Sequence, residues 1–344
     1  MHFTDPGRIR VFLRDTHKKN FLTIGKEVLT LWALKKEIPL YYFKHLYKKH
    51  VPNYRDFLSP GEVNRIKNSS RLHKSEYTSL LHNKLSFALY CDKNGLPSPR
   101  LISHNFDTHF FYEGEQYPVD DLVTAVSFFS RVFEAEEVTA LFFRPLALNG
   151  GQGCFRLDRD HFERQLEAEL DTLLQGDYTH TEVITQHPGI DRIYAKSINT
   201  LRILTFIEND KVEIISVFMR IGAGGSIVDN GSSGGVFVGI DLETGRMQSI
   251  AHRDLKFGGG EFHRHPDTDF EFNNFEVPLF KEACELAKEA ARGIPNRFIG
   301  WDIALGADGP LVIEGNEDPH LFMSDVAYGG LLQNEIMQRV LDAV

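Results

Sequence analysis

Cysteine is scarce: Cys91, Cys154 and Cys284 are the only three in 344 residues, far apart and without a Cys-x-x-Cys pair. That excludes a disulfide framework and a zinc-finger ligand set, leaving buried or inert thiols as the expectation. Long apolar runs are missing as well. The most apolar early stretch, Val28 to Phe43, is broken by Lys35, Lys36, Glu37 and Pro39, well short of the ~20 apolar residues a membrane span needs. Met1 to Arg10 has no apolar core, so no secretory leader is expected and a soluble, cytoplasmic protein is the default. No papain-like cysteine surround is present, which removes one common signature of a hydrolytic nucleophile. Internal repeats and low-complexity tracts are absent too.

What is present is globular in composition, with 42% hydrophobic and 25% charged residues. The length allows two or three lobes, because single cores stop growing at roughly 250–300 residues. The net charge of −10 hides an asymmetry: Met1 to Lys74 holds 16 Lys and Arg against six Asp and Glu, so the acidic excess lies wholly in the remainder. A basic amino-terminal region is either a solvated helical face or a surface for an anionic partner or membrane. Nucleic acid is not an expected partner, since no base-reading motif accompanies the charge.

The spacing of apolar residues predicts helices over Phe21 to Leu34 and Tyr41 to Tyr47, making residues 1–75 a helical preface. A helix from Lys84 to Tyr90 should stop at Asn94-Gly95 and lead into an extended Leu96 to Ile102. Ala140 to Phe143, Glu182 to Gln186, Thr200 to Ile207 and Val212 to Arg220 read as strands. The last two flank Glu208-Asn209-Asp210-Lys211, good chemistry for an antiparallel hairpin. The fold class is therefore α+β, divided as a basic helical region (1–75), a lobe at 76–140 and a principal region at 141–344.

A second hairpin is the most informative segment: Phe298 to Leu305, a turn over Gly306 to Pro310, then Leu311 to Asn316. With the turn centred at Ala307-Asp308, Asp302 falls opposite Ile313 or Glu314, and the two-residue pleat puts Glu314 and Asn316 on one face. Two carboxylates and an amide oxygen are hard ligands of the kind Mg²⁺ accepts. Elsewhere Phe142-Phe143-Arg144-Pro145 runs into Asn149-Gly150-Gly151-Gln152-Gly153, a strand entering a glycine loop; such a loop is either a turn or a phosphate cradle. Asn199 and Arg202 precede and enter one strand, and Arg220 ends the next. Guanidinium forks suit carboxylate or phosphate oxygens, and equally suit structural salt bridges. His252, His263, His265, Asp267 and Asp269 form a histidine-rich stretch with some capacity for zinc.

Gly300-Trp301-Asp302-Ile303-Ala304 followed by Val312-Ile313-Glu314-Gly315-Asn316 resembles the metal-binding end of the ATP-grasp superfamily, and is most similar to its sugar-transfer-associated group. The resemblance spans roughly Leu81 to Tyr328 and includes Asn199 to Ile203, Arg220-Ile221-Gly222, Val228-Asp229-Asn230 and Gly234-Gly235. It implies two α+β lobes enclosing ATP, with Asp302, Glu314 and Asn316 as Mg²⁺ ligands. It further implies phosphate contacts from Lys84, Arg144 and the Gly150, Gly151 and Gly153 loop, and a hinge near Gln186 and His187 that reads adenine through backbone groups. Arg144 stands where the family usually has lysine, a departure that keeps the charge and changes the donor geometry.

By the same resemblance Asn199, Arg202 and Arg220 are the expected catalytic residues, while Asp229, Asn230, Gly234 and Gly235 shape the acceptor pocket. His265-Pro266-Asp267-Thr268 is similar to a family loop near the acceptor, which makes Lys256 and His265 candidate substrate contacts. The implied activity is an ATP- and Mg²⁺-dependent carboxylate–amine ligase acting through an acyl phosphate on small-molecule substrates. A kinase acting on a hydroxyl or sugar-linked acceptor and a non-catalytic nucleotide-binding scaffold remain the alternatives.

Overall fold

The computed structural model describes residues 6–148, 150–231 and 234–344. The amino-terminal region is helical, with α1 (Pro6–Arg14), α2 (Phe21–Lys35), α3 (Pro60–Lys67) and α4 (Ser75–His82). Local chemistry sets their ends. The Asn20 side chain accepts from Thr23 N to start α2, and Ser59 with Glu62 closes a capping box around Pro60 at the start of α3. The helix expected over Tyr41 to Tyr47 is instead a 3₁₀ turn at Leu40–Lys44. Tyr41, Tyr42, Leu46 and Tyr47 are all buried, and consecutive buried residues cover more circumference than one helical face provides.

Next, α5 (Lys84–Asn94) ends on Gly95 with φ 66°, the left-handed stop read from the sequence. A six-stranded sheet follows, built from β1 (Leu101–Phe106), β2 (His109–Tyr112), β3 (Glu115–Pro118), β4 (Ala140–Pro145), β5 (Phe155–Asp158) and β6 (Asp177–Glu182) in the order β3-β2-β1-β6-β4-β5. It joins β1 to β4 through β6, so the boundary expected at residue 140 falls inside one sheet. The helices α6 (Leu122–Glu136) and α7 (Phe162–Leu174) cover it, and Phe110, Phe129, Phe133 and Phe143 fill the space between. The strand expected at Glu182 to Gln186 lies earlier: β6 ends at Glu182, and residues 183–187 cross to the second sheet, pinned by a bridge between Gln186 and Gly306.

After the short α8 (Pro188–Asp191), the second sheet takes β7 (Thr200–Glu208), β8 (Lys211–Ile221), β9 (Val236–Ile240), β10 (Met247–Arg253), β11 (Glu261–Phe262), β12 (Phe298–Leu305) and β13 (Pro310–Asn316). Their order is β11-β10-β9-β8-β7-β12-β13. Asn209 and Asp210 both hold positive φ between β7 and β8, which suits a two-residue hairpin turn. On one face α9 (Phe280–Gly293) approaches through Ala283, Ala287, Ala290 and Ala291 over Ile203, Val217 and Trp301. The other face, with Phe206, Phe218, Phe237 and Phe298, is covered by α10 (Leu321–Ala327), α11 (Glu335–Asp342) and the amino-terminal region. The fold is α+β: two antiparallel sheets behind a helical preface. Among the described residues no helix is long and apolar enough to cross a membrane.

Candidate active site

A cleft opens between the sheets and is lined from both. The smaller sheet contributes Phe142, Arg144, Thr181 and Glu182, the crossing segment adds Val183 and Ile184, and the larger sheet contributes Thr200, Arg220, Asp302 and Glu314. Loops at Gly150–Gly151 and Val228–Asn230 close its sides.

Sheet register builds the charged wall. Asp302 on β12 lies opposite Arg202 on β7 and opposite Glu314 on β13, so one cross-strand row runs Arg202, Asp302, Glu314. Asp302 is completely buried. Arg202 Nε donates to its Oδ1 in a very short contact, and Arg202 NH2 donates to Oδ2 at 3.0 Å while NH1 reaches Pro319 O at 3.0 Å. Arg220 NH2 lies 3.0 Å from Asp302 Oδ2 and 3.3 Å from Asp229 Oδ1, and it also donates to Thr200 Oγ1 at 2.9 Å. Thr200 in turn donates its N–H and hydroxyl to Asp229 Oδ2 at 2.9 and 2.5 Å.

Burial works to raise the Asp302 carboxyl, but Arg202 and Arg220 override it and hold it at about 2. Glu314 is pushed the other way, by desolvation and by the neighbouring Asp302 charge. Burial also raises Asp229 against the pull of Arg220. Asn316, two residues beyond Glu314, donates Nδ2 to Glu314 Oε1 at 3.3 Å. Asp302 and Glu314 are thus cross-strand neighbours lining the cleft, while Asn316 reaches Glu314 but is not itself a lining residue. Two carboxylates in adjacent positions with an amide beside them, one carboxylate raised by the other's charge, suit a hard divalent cation, which would relieve that repulsion.

Opposite stand two cations that desolvation makes costly. Lys84 donates Nζ to Leu148 O at 2.6 Å, and burial lowers its pKa against the opposing pull of Glu314. Arg144 donates NH1 to Ile313 O at 3.3 Å, while its buried Nε has no partner and burial lowers its pKa too. An orphaned guanidinium N–H in a cleft is the kind of donor a phosphate oxygen satisfies. Gly151 has φ 73°, and a Cβ there would come within 2.9 Å of Val228 Cγ1, so the loop needs glycine to lie against the opposite lobe. Gly153 sits at the foot of the loop against Pro145. Asn149 lies outside the described residues.

Other expected residues are placed behind the cleft. Asn199 is buried with its amide spent: Nδ2 donates to Gln186 Oε1 and Tyr194 O, and Oδ1 accepts from Ser197 and Gly222 N. Gln186 completes that knot through Asp191 and Tyr194, and His187 Nδ1 accepts from Gly189 N at the start of α8. None of these three lines the cleft. His265 is buried and tied to Gly222 O at 2.8 Å, while Lys256 is exposed with its ammonium over the Phe257 ring. Asn230 lines the cleft and accepts from Arg220 NH1 at 3.3 Å. Gly234 adopts φ 86°, and a Cβ on Gly235 would come within 2.7 Å of Ile221 O and 2.9 Å of Asp229 O. The His252 ring lies 5.5 Å from that of His45, centroid to centroid.

Sequence reasoning passed over Glu182, Val183 and Ile184, which line the cleft just before Gln186. The β-branched pair Val183-Ile184 was the available signal, and it was assigned to a strand. Thr200 and Cys154 also line the cleft unforeseen; the Cys154 thiol is raised by burial, and Cys91 and Cys284 are buried and free.

Residues 65–340 match the family model described as "Sugar-transfer associated ATP-grasp". No curated protein sequence matches the chain. Among solved structures it is similar to the ATP-grasp ligase PsnB complexed with a phosphomimetic variant of its minimal precursor, Mg and ADP, at 15% identity over 79% of this chain and 60% of that one, TM-score 0.43. It is also similar to D-alanyl-alanine synthetase A from Vibrio cholerae O1 biovar eltor str. N16961, at 14% identity over 78% and 66%, TM-score 0.44. VanG D-Ala:D-Ser ligase from Enterococcus faecalis is similar at 10% identity over 76% and 62%, TM-score 0.44. The chain thus spans about three-fifths to two-thirds of the length of these structures.

Proposed function

Because the chain belongs to the sugar-transfer associated ATP-grasp family, we propose that it is an ATP- and Mg²⁺-dependent ligase that activates a small carboxylate as an acyl phosphate for amide formation with an amine. The observation that carries this reading is that Asp302 and Glu314 line the same cleft as Arg144, whose buried Nε has no partner. Asp302, Glu314 and Asn316 would hold Mg²⁺, which when bound neutralises phosphate charge.

The chain's own residues supply positioning and electrostatics. Lys84, Arg144 and the backbone of Gly150 and Gly151 receive the phosphates. Arg220, held protonated by Asp229 and Asp302 against burial, presents fixed positive charge where the transferred group passes. Arg202 does not line the cleft; it grips Asp302 from behind and fixes its orientation, so it is a positioning residue. Asn199 and Gln186 do the same for the crossing at 183–187, whose Glu182, Val183 and Ile184 face the adenine end. Asp229 and Asn230 border the acceptor.

In the first step the substrate carboxylate oxygen bonds to the γ-phosphorus and the bond to the β–γ bridging oxygen breaks, releasing ADP. In the second the amine bonds to the acyl carbon, phosphate departs with the C–O electron pair, and the amine proton passes to solvent. A screen for ADP release across amino acids, sugar acids and small peptides, with hydroxylamine present, tests the reading. A hydroxamate is expected from the accepted acid. A stable phosphorylated product without hydroxamate would replace the ligase reading with a kinase.

A further inference from the structure

We infer that the outer face of α2 docks the protein onto an anionic bilayer surface. The α2 helix carries apolar residues on two opposite sides, with Thr23, Lys26 and Thr30 between them. Its inner side buries Ile24, Glu27 and Leu31, whereas Phe21, Leu22, Leu29 and Trp32 are 65%, 89%, 60% and 55% exposed. At about 100° per residue those four fall in one sector of roughly 100°, with Gly25 between them, opposite the buried set. Ile38, 72% exposed, continues the surface past the helix end, and Leu13 of α1 is 57% exposed. A helix with two apolar faces ordinarily has both covered, and a patch of this kind marks an interaction site.

Charge selects the occupant. Arg10, Arg14, Lys26 and Lys36 are exposed, while no carboxylate among the described residues up to 40 is. Asp15 accepts from Tyr47 Oη, Glu27 is buried against Lys19, and Glu37 accepts from Gly61 N. A second copy related by a two-fold axis would bring the same cations face to face. An anionic bilayer takes both features: Trp32 and the leucines enter the headgroup boundary, and lysine and arginine reach the phosphates. The face is carried rigidly, since Lys35 pairs with Glu62 at 2.7 Å, Lys48 pairs with Glu261 at 2.6 Å, and Ile24 and Leu31 share a core with Phe218 and Phe237. No residue lining the cleft precedes Lys84, so docking leaves its walls untouched.

The test uses the full chain with vesicles of phosphatidylcholine mixed with phosphatidylglycerol, against vesicles of phosphatidylcholine alone. Sedimentation with the anionic vesicles, weakening as salt is raised, is expected, together with a blue shift of tryptophan emission. That shift reports Trp32, because Trp301, the other tryptophan, is already buried and donates Nε1 to Thr205. Leu22→Glu and Leu29→Glu, at exposed positions that do not bear on folding, should each weaken vesicle binding by more than about tenfold and leave nucleotide binding unchanged. Wild-type protein that stays in the supernatant with both vesicle types, or variants that bind as well as wild type, would overturn the inference. So would a wild-type dimer that Leu29→Glu converts to monomer, since the face would then belong to a second copy.

Discussion

Arg202 and Asp302 face each other across the β7–β12 ladder and close a two-armed ion pair in which both carboxylate oxygens are engaged. Neither side chain exceeds 5% exposure. A buried pair of this kind contributes little net stability when intact, yet removing one partner strands the other charge.

Arg202→Met leaves Asp302 with Arg220 as its remaining cation and should destabilise the chain by about 1.5–3 kcal/mol, measured by denaturant unfolding. Arg202→Met combined with Asp302→Leu should recover most of the loss. A single variant as stable as wild type would mean that Asp302 does not depend on the fork.

Glu314→Gln should separate stability from function. Desolvation and Asp302 both oppose the Glu314 charge, so the neutral amide removes a repulsion and the melting temperature should hold or rise. Magnesium-dependent nucleotide affinity should collapse at the same time. A variant that loses both together would reduce Glu314 to a structural role.

His180 makes the smaller sheet acid-sensitive. It is completely buried between Ser103 Oγ and Asn105 Oδ1, at 2.7 and 3.0 Å, and burial holds its pKa well below 6.5. Below pH 6.5 the unfolded chain takes up a proton that the folded chain refuses. The stability this site contributes is thus present above pH 6.5 and is lost as pH falls, at up to about 1.4 kcal/mol per pH unit. Unfolding free energies between pH 7 and pH 5 should show a shallower decline in His180→Gln than in wild type; parallel profiles would remove His180 as a source.

Two glycines should respond oppositely to alanine. At Gly235 the new Cβ meets three backbone oxygens, of Ile221, Asp229 and Asn230, within 3.1 Å, so the backbone there must move and stability should fall. At Gly25 nothing lies within 4 Å, and alanine inside α2 should stabilise by about 0.5–1 kcal/mol. Thermal melts of the two variants read the contrast directly.

Much of this was legible in the sequence because it is local. The β12–β13 register, the Asn209-Asp210 turn and the Gly95 stop follow from pleat and turn chemistry within a few residues. What was hidden depends on distant pairing. The six-stranded sheet joins β1 to β6 across some 70 residues, and no local pattern announces that the boundary placed at 140 lies inside it. The strand placed at Glu182 to Gln186 was drawn by Val183 and Ile184, whose β-branched chains line the cleft rather than a ladder. Residue identity also failed to separate facing from supporting roles: Arg202, Asn199, Gln186 and His265 have the right chemistry for a site, and the fold spends their hydrogen bonds on holding it together.

On the proposed reading Asp302, Glu314 and Asn316 recruit a magnesium-bound nucleotide. Titration calorimetry of ADP into the protein, with Mg²⁺ and then with a chelator, tests it most directly. Saturable binding that requires Mg²⁺ and disappears in Glu314→Ala, with the fold of the variant intact by circular dichroism, is the predicted result. Equal affinity with and without Mg²⁺, or undiminished binding by Glu314→Ala, would contradict the account.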